Sequence, residues 1–239
     1  MTDPVRLSRA FVELADTLVD DFDVVEFMSS LTTHCVDILD ADEAGVMLAD
    51  PHGTLKAIAS SSERALLLEL YELQTEEGPC YDCYRTGETL VNQSLESPDR
   101  WPRFGVEARR LGFSVVHAIP MRLRGHVIGA VNVFNIAATQ LGPNDVSIGQ
   151  ALADVATIGL LQERNVREAR VLTEQLQSAL NSRIVIEQAK GLIFERRKVD
   201  MDEAFELLRR HSRSHNQRLS EVAQLLLDGA LSPDELGPP

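Results

Sequence analysis

The chain is 239 residues long, 44% hydrophobic and 25% charged, with a formal net charge of −14 at pH 7. That length builds one large domain or two small ones around real cores, and the acidity argues against nonspecific adhesion to DNA or anionic membranes. No apolar run is long enough to cross a bilayer, Met1-Thr2-Asp3-Pro4-Val5-Arg6 lacks the build of a signal peptide, and three cysteines make no disulfide framework; a cytoplasmic location is expected.

Residues 5–40 read as two helices, because Val5, Leu7, Phe11, Leu14 and Leu18, then Val24, Phe27, Met28, Leu31, Cys35 and Leu39, recur at helical spacing. Asp20-Asp21-Phe22-Asp23 separates them and supplies an N-cap. Ala44–Asp50 and Thr54–Ser60 read as strands joined by the turn Pro51-His52-Gly53. Glu63–Leu73 is helical. Glu77–Gly87 reads as a turn feeding a short helix that ends on Gly87. Thr89–Asn92 is a short strand, and Pro102–Leu111 a helix or turn stopping at Gly112. Val115–Leu123 and Val127–Phe134 are strands with Arg124-Gly125 between them, and Gly129 predicts a bulge or a close backbone approach. Paired strands with helices before, between and after them predict an α+β domain on an antiparallel sheet.

From Asn144 to about Lys198 nothing interrupts a helix except Gly149, Gly159 and Gly191. Asn165, Ala169, Leu172, Leu176, Ala179, Arg183 and Ile186 follow a 4-3-4-3 spacing, a coiled-coil-like seam that predicts a dimerising helix. Val199-Asp200 ends it, with Asp200 and Glu203 as a cap and its reciprocal partner. Ala204, Phe205 and Leu208 stripe a second helix ending near His211–Ser214. Asn216 is placed to cap a third, with Leu219, Val222, Ala223 and Leu226 inward and Gly229 past its end. Ser232–Pro239 reads as a frayed tail. Residues 178–231 hold nine Lys/Arg against eight Asp/Glu, so any nucleic-acid footprint depends on how the charges are placed, not on their sum.

Two families are resembled. Residues 181–229 resemble an ANTAR domain, a three-helix RNA-binding module of bacterial antitermination regulators. The match runs through Ser182-Arg183, Ile186-Glu187-Gln188-Ala189-Lys190-Gly191, Ala204-Phe205, Leu208-Arg209, Ser212, Asn216, Leu219 and Val222-Ala223. Residues 20–160 resemble a GAF sensory domain, through Glu77-Gly78-Pro79-Cys80, Arg100-Trp101-Pro102 and Val127-Ile128-Gly129-Ala130-Val131-Asn132-Val133-Phe134. The order is that of actinobacterial GAF-ANTAR regulators. The expected organisation is a helical segment at 1–19, the GAF-like domain at 20–160, a coiled-coil linker at 161–180, the all-α ANTAR bundle at 181–229 and a flexible tail at 230–239.

The resemblance implies a signal-responsive homodimer that binds paired hexaloop stem-loops in nascent mRNA and prevents terminator formation. RNA loops present unstacked bases and phosphates to short helices. Arg183 and Lys190 would supply charge, Ala189 and Gly191 close approach, and Gln188, Arg209, Arg213, Asn216 and Arg218 further contacts. Asn216 reads equally well as a helix cap. An alternative is a DNA-binding helix-turn-helix over His211–Leu227, with Arg218 and Gln224 on its second helix.

Cys80-Tyr81-Asp82-Cys83 is a C-x-x-C, readable as two structural helix positions, a thiol redox sensor or enzyme, or half a metal site. Cys80, Cys83, Tyr84, Trp101, Phe104 and His117 are candidates to line a small-ligand or redox pocket in the sensory domain, each readable also as core. The pair His211/His215, at i,i+4, suits a helix end or an RNA contact better than zinc. No Walker loop, G-x-S-x-G or hydrolase carboxylate pair is present. The sequence points to no metal, names no cofactor and predicts a regulator, not an enzyme.

Overall fold

The computed structural model describes residues 3–17, 22–96 and 100–237. Leu18, Asp20, Asp21 and the ends Met1-Thr2 and Pro238-Pro239, used in the sequence reading, lie outside these. The chain divides into two compact units, residues 1–165 and 166–239.

In the first unit, α1 (Pro4–Thr17) is followed by α2 (Val24–Leu39), whose N-cap Asp23 accepts from the amides of Val25 and Glu26. A cap of this kind is worth about 1 kcal/mol. Strands β1 (Glu43–Ala49) and β2 (Leu55–Ser60) lead to α3 (Glu63–Thr75) and α4 (Pro79–Thr86). Then come β3 (Leu90–Ser94), α5 (Pro102–Arg110), β4 (Val115–Leu123) and β5 (His126–Asn135). The sheet order is β2-β1-β5-β4-β3 and every pairing is antiparallel. The central strand β5 is buried along most of its length, which explains its nearly unbroken apolar run.

Side chains alternate between two cores, as the period of two requires. Val131 and Val133 of β5 join Phe27, Met28, Leu31, Leu152 and Ala156, so one face is covered by α2 and the start of the long helix α6 (Pro143–Arg197). Ala130 and Phe134 point the other way, into a core with Leu68, Cys80, Cys83, Phe104 and Phe113 from the α3–α5 side. Gly129 is a close approach: a Cβ there would run into the Met47 carbonyl of β1. The β4–β5 register also shifts beside it, where Met121 pairs with Gly129 and Arg122 with Val127, and further shifts fall between Val46 and Met47 and between Leu90 and Gln93.

Helix α3 inverts the usual amphipathic rule. Its buried face carries Ala65, Leu68, Glu69 and Glu72, while Leu66, Leu67 and Leu70 are exposed.

In the second unit, the end of α6 packs with α7 (Met201–Ser214) and α8 (Leu219–Leu227) around Ala189, Ile193, Ala204, Leu207, Leu208, Val222, Ala223 and Leu226. Lys198, at φ 57°, turns the chain out of α6, and Asp200 caps α7 through the amides of Asp202 and Glu203. Asn216 does not cap α8. It sits past the end of α7 at φ 52°, a left-handed conformation Asn tolerates, and Arg218 is the residue before α8. The expected frayed tail is also ordered where it is described: Pro233–Leu236 forms a 3-10 turn with Leu236 buried in the helical core. Arg197 holds it, donating to the carbonyls of Pro233 and Gly237 at 2.9 Å each.

Candidate functional site

The second unit sorts the expected RNA contacts by what surrounds them. Ala189 is fully buried against α7 and α8, so its small size serves helix packing and not RNA approach. Gly191 does face open space. Lys190 lies over the Phe205 ring, 5.7 Å from its centroid, with its ammonium 3.0 Å from Glu187 and its side chain only 15% exposed. The stem is thus held against apolar surface while the head reaches the rim. Arg209 follows Phe205 by four residues on α7 and pairs with Glu206 at 3.1 Å, and Arg213 follows by four more. Arg183, Gln188 and Arg213 are exposed, as are Asn216 and Arg218 in the α7–α8 turn.

Cations from two helices therefore share the rim around Phe205, two of them poised by carboxylates. Close pairing orients a cation, and an RNA phosphate can displace the weaker exposed partner. His211 and His215 stack with centroids 4.0 Å apart at the end of α7, and burial lowers the His211 imidazole. The solvent side of α8 presents Glu221, Gln224 and Asp228, with Gln224 donating to Asp228 at 2.8 Å. Two acids on the would-be recognition helix oppose entry into a DNA groove.

The sensory candidates do not form one cluster. Cys80, Cys83, Trp101 and Phe104 belong to the α3–α5 core, with Tyr84 at its edge, and Trp101 donates to Asp82 at 3.0 Å. His117 lies on β4 in step with Ile119 and Met121, on the opposite face of the sheet. Its Nδ1 accepts from the Asn92 amide at 2.9 Å, which makes Nε2 the protonated nitrogen, and burial lowers the imidazole to about 4. His117 is a neutral structural group there.

The two thiols are free and buried. Desolvation, reinforced by the nearby glutamates, pushes Cys80 well above the ordinary range and Cys83 up to about 12. Both shifts disfavour the thiolate with which redox chemistry begins.

What the sequence reading missed lies beside them. Glu72 is fully buried, accepting from the Tyr81 amide at 2.9 Å and from Asn132 Nδ2 at 3.0 Å, and desolvation raises its carboxyl to about 8. Glu69, also fully buried, accepts from Ser60 at 2.8 Å and is raised by desolvation first and by Glu72 second. Glycine makes the room: a Cβ at Gly45 would overlap the Glu69 carboxyl, and one at Gly78 that of Glu72. Gly45 pairs with Asn132 across β1 and β5. Burial favours the neutral form of both carboxyls. The readable signal was Asn132, a polar residue within the apolar run of β5.

A two-faced antiparallel sheet joined to a small helical module with a cationic rim defines a sensory domain carrying a nucleic-acid-binding module. The chain belongs to the GAF domain family, whose family model matches residues 23–160, and the ANTAR domain model matches residues 174–227. ANTAR domains bind RNA and GAF domains are sensory, so this is a GAF-ANTAR protein, a signal-controlled regulator. Among curated proteins none matches the chain in sequence.

Solved structures share the sensory fold. The GAF domain of the cyanobacteriochrome TePixJ aligns at TM-score 0.52 and 16% identity, covering 62% of this chain and 94% of that one. A GAF domain from a phosphoenolpyruvate-protein phosphotransferase of Coxiella burnetii aligns at 0.53 and 13%, covering 69% and 98%. The free methionine-R-sulfoxide reductase of Neisseria meningitidis aligns at 0.51 and 15%, covering 67% and 89%. Among the described residues, no helix is long and apolar enough to cross a membrane, and no group of three or more His, Cys, Asp or Glu is placed to hold a metal.

Proposed function

We propose that the chain acts as a cytoplasmic, homodimeric antitermination regulator. In this reading the ANTAR module binds paired hexaloop stem-loops in nascent mRNA, keeps the terminator hairpin from forming, and does so under control of a signal at the GAF domain. The observation that carries the reading is Lys190, laid on Phe205, with Arg209 and Arg213 at four-residue steps from Phe205 along α7 and Arg183 exposed seven residues before Lys190 on α6. These groups address phosphates, which predicts strong salt dependence.

Dimerisation is supported by α6. Leu172, Leu176, Leu180 and Ile184 repeat every four residues and are 47–63% exposed. They share Leu172 and Leu176 with the expected seam and put Leu180 and Ile184 where it had Ala179 and Arg183. A stripe of this kind on a helix exposed at every residue from 164 to 181 calls for an apolar partner, and a second copy gives one module per stem-loop. The test combines sedimentation with fluorescence anisotropy on a tandem stem-loop RNA. Leu172→Asp with Leu176→Asp is expected to give a folded monomer that has lost tight binding, and Lys190→Ala a dimer with weaker, less salt-sensitive binding. A monomeric variant that binds as tightly as the parent refutes the dimer mechanism, and equal binding to duplex DNA refutes RNA selectivity.

A further inference from the structure

Between α6 and α8 lies a groove of about 480 Å³, lined by none of the cationic-rim residues. Gln177, Ser178, Asn181 and Ser182 of α6 face Ser220 and Gln224 of α8, over Val185, with Glu174 at one end. No Lys or Arg lines it. A groove without cations is not built for phosphates.

Its polar groups are instead left with capacity to spare. Elsewhere on α6 the hydroxyls of Ser147, Thr157 and Thr173 donate back to the carbonyl four residues earlier. Ser178, Ser182 and Ser220 make no such bond. Gln177 Nε2 donates to Asn181 Oδ1 at 2.9 Å, which fixes the two amides side by side and leaves Gln177 Oε1 and Asn181 Nδ2 with bonding capacity to spare. Gln224 spends Nε2 on Asp228 and keeps Oε1. Adjacent amide donors and acceptors over an apolar floor match the edge and face of a nucleobase, the groups RNA-binding proteins read in single-stranded loops.

The position also fits. At 3.6 residues per turn, the lining residues of α6 lie roughly 150° around its axis from the Leu172–Ile184 stripe. A partner helix seated on that stripe leaves the groove open.

We propose that this groove reads unpaired bases of the bound RNA, while the Lys190–Arg209 rim holds its phosphates. The proposal rests on the RNA-binding reading above and adds to it where sequence is recognised. Affinity and selectivity are then separable, because phosphate contacts bind all sequences alike and base contacts discriminate.

The test uses the full chain and a tandem stem-loop RNA, together with a set of the same RNA carrying one abasic nucleotide at each loop position. Anisotropy titrations are run across a range of salt, with circular dichroism as a check on folding. The triple variant Gln177→Ala, Asn181→Ala, Gln224→Ala changes exposed side chains. It is expected to bind the intact RNA at least ten-fold more weakly, to bind intact and abasic loops alike, and to keep the parent's salt dependence. Lys190→Ala is expected to do the reverse, weakening every RNA and lowering the salt dependence while still distinguishing abasic loops. A triple variant that still distinguishes abasic loops as the parent does overturns the groove and leaves the RNA reading intact. A parent protein that binds none of these RNAs overturns both.

Discussion

Replacing Glu72 by Gln isolates the energetic cost of the buried carboxyls. In the unfolded chain this carboxyl ionises near 4.5, whereas in the folded protein burial holds its proton to about 8. Between those values the native state binds a proton that the unfolded state has lost, so stability falls as pH rises. Each pH unit costs about 1.4 kcal/mol, and across the window from 4.5 to 8 the loss accumulates to on the order of 5 kcal/mol. Above it both states are ionised and this slope ends. Glu69 is raised too and acts in the same direction. Gln at position 72 can still accept from the Tyr81 amide, and Asn132, whose Oδ1 has no partner, can turn its amide to receive the new NH₂. Urea unfolding followed by Trp101, the single tryptophan and 6% exposed, measures the result at pH 5, 6.5 and 8. Near pH 5 the variant is expected within about 1 kcal/mol of the parent, as both are neutral there. At pH 8 it is expected to be several kcal/mol more stable. Parallel stability curves for the two proteins would refute the argument that Glu72 folds as a neutral acid.

Other perturbations test separate parts. Gly129→Ala forces a methyl group onto the Met47 carbonyl and is expected to cost at least 1–3 kcal/mol, the range of overpacking, read as a lowered urea midpoint. Arg197→Ala removes two charge-assisted bonds to the C-terminal turn and is expected to cost about 2 kcal/mol and to speed proteolysis of the tail. Native protein is expected to react slowly with a thiol reagent at pH 8, because Cys35, Cys80 and Cys83 are buried and all are raised, while urea should release three fast thiols. One fast thiol in the native state would restore a redox role.

Local signals located nearly every element: continuous apolar runs along β4 and β5, caps at Asp23 and Asp200, and left-handed glycines at Gly87 and Gly229. The misread residues are those whose role depends on a distant partner. His117 lines up with the pocket candidates in sequence, yet the parity of β4 sends it to the other face. Ala189 looks small enough for RNA, yet α7 and α8 close over it. Leu236 sits in a Pro-rich end that reads as frayed, yet Arg197, nearly forty residues earlier, draws it onto the core. The helical reading of Glu63–Leu73 does not single out Glu69 and Glu72, because nothing local announces Gly45 or Asn132 across the sheet.

The inside-out helix α3 follows from that last point. Its own pattern favours the opposite roll, with Leu66, Leu67 and Leu70 inward and the glutamates in water. The observed roll goes with space left by Gly45 on β1 and by Gly78 before α4, and with the Asn132 amide that donates to Glu72. Local preference and tertiary placement are thus in conflict along this helix, a point of frustration within an otherwise consistent fold. Because burial raises both carboxyls, the gap separating the two rolls is expected to narrow as pH rises, so solvent acidity bears on this structure alongside the order of its amino acids.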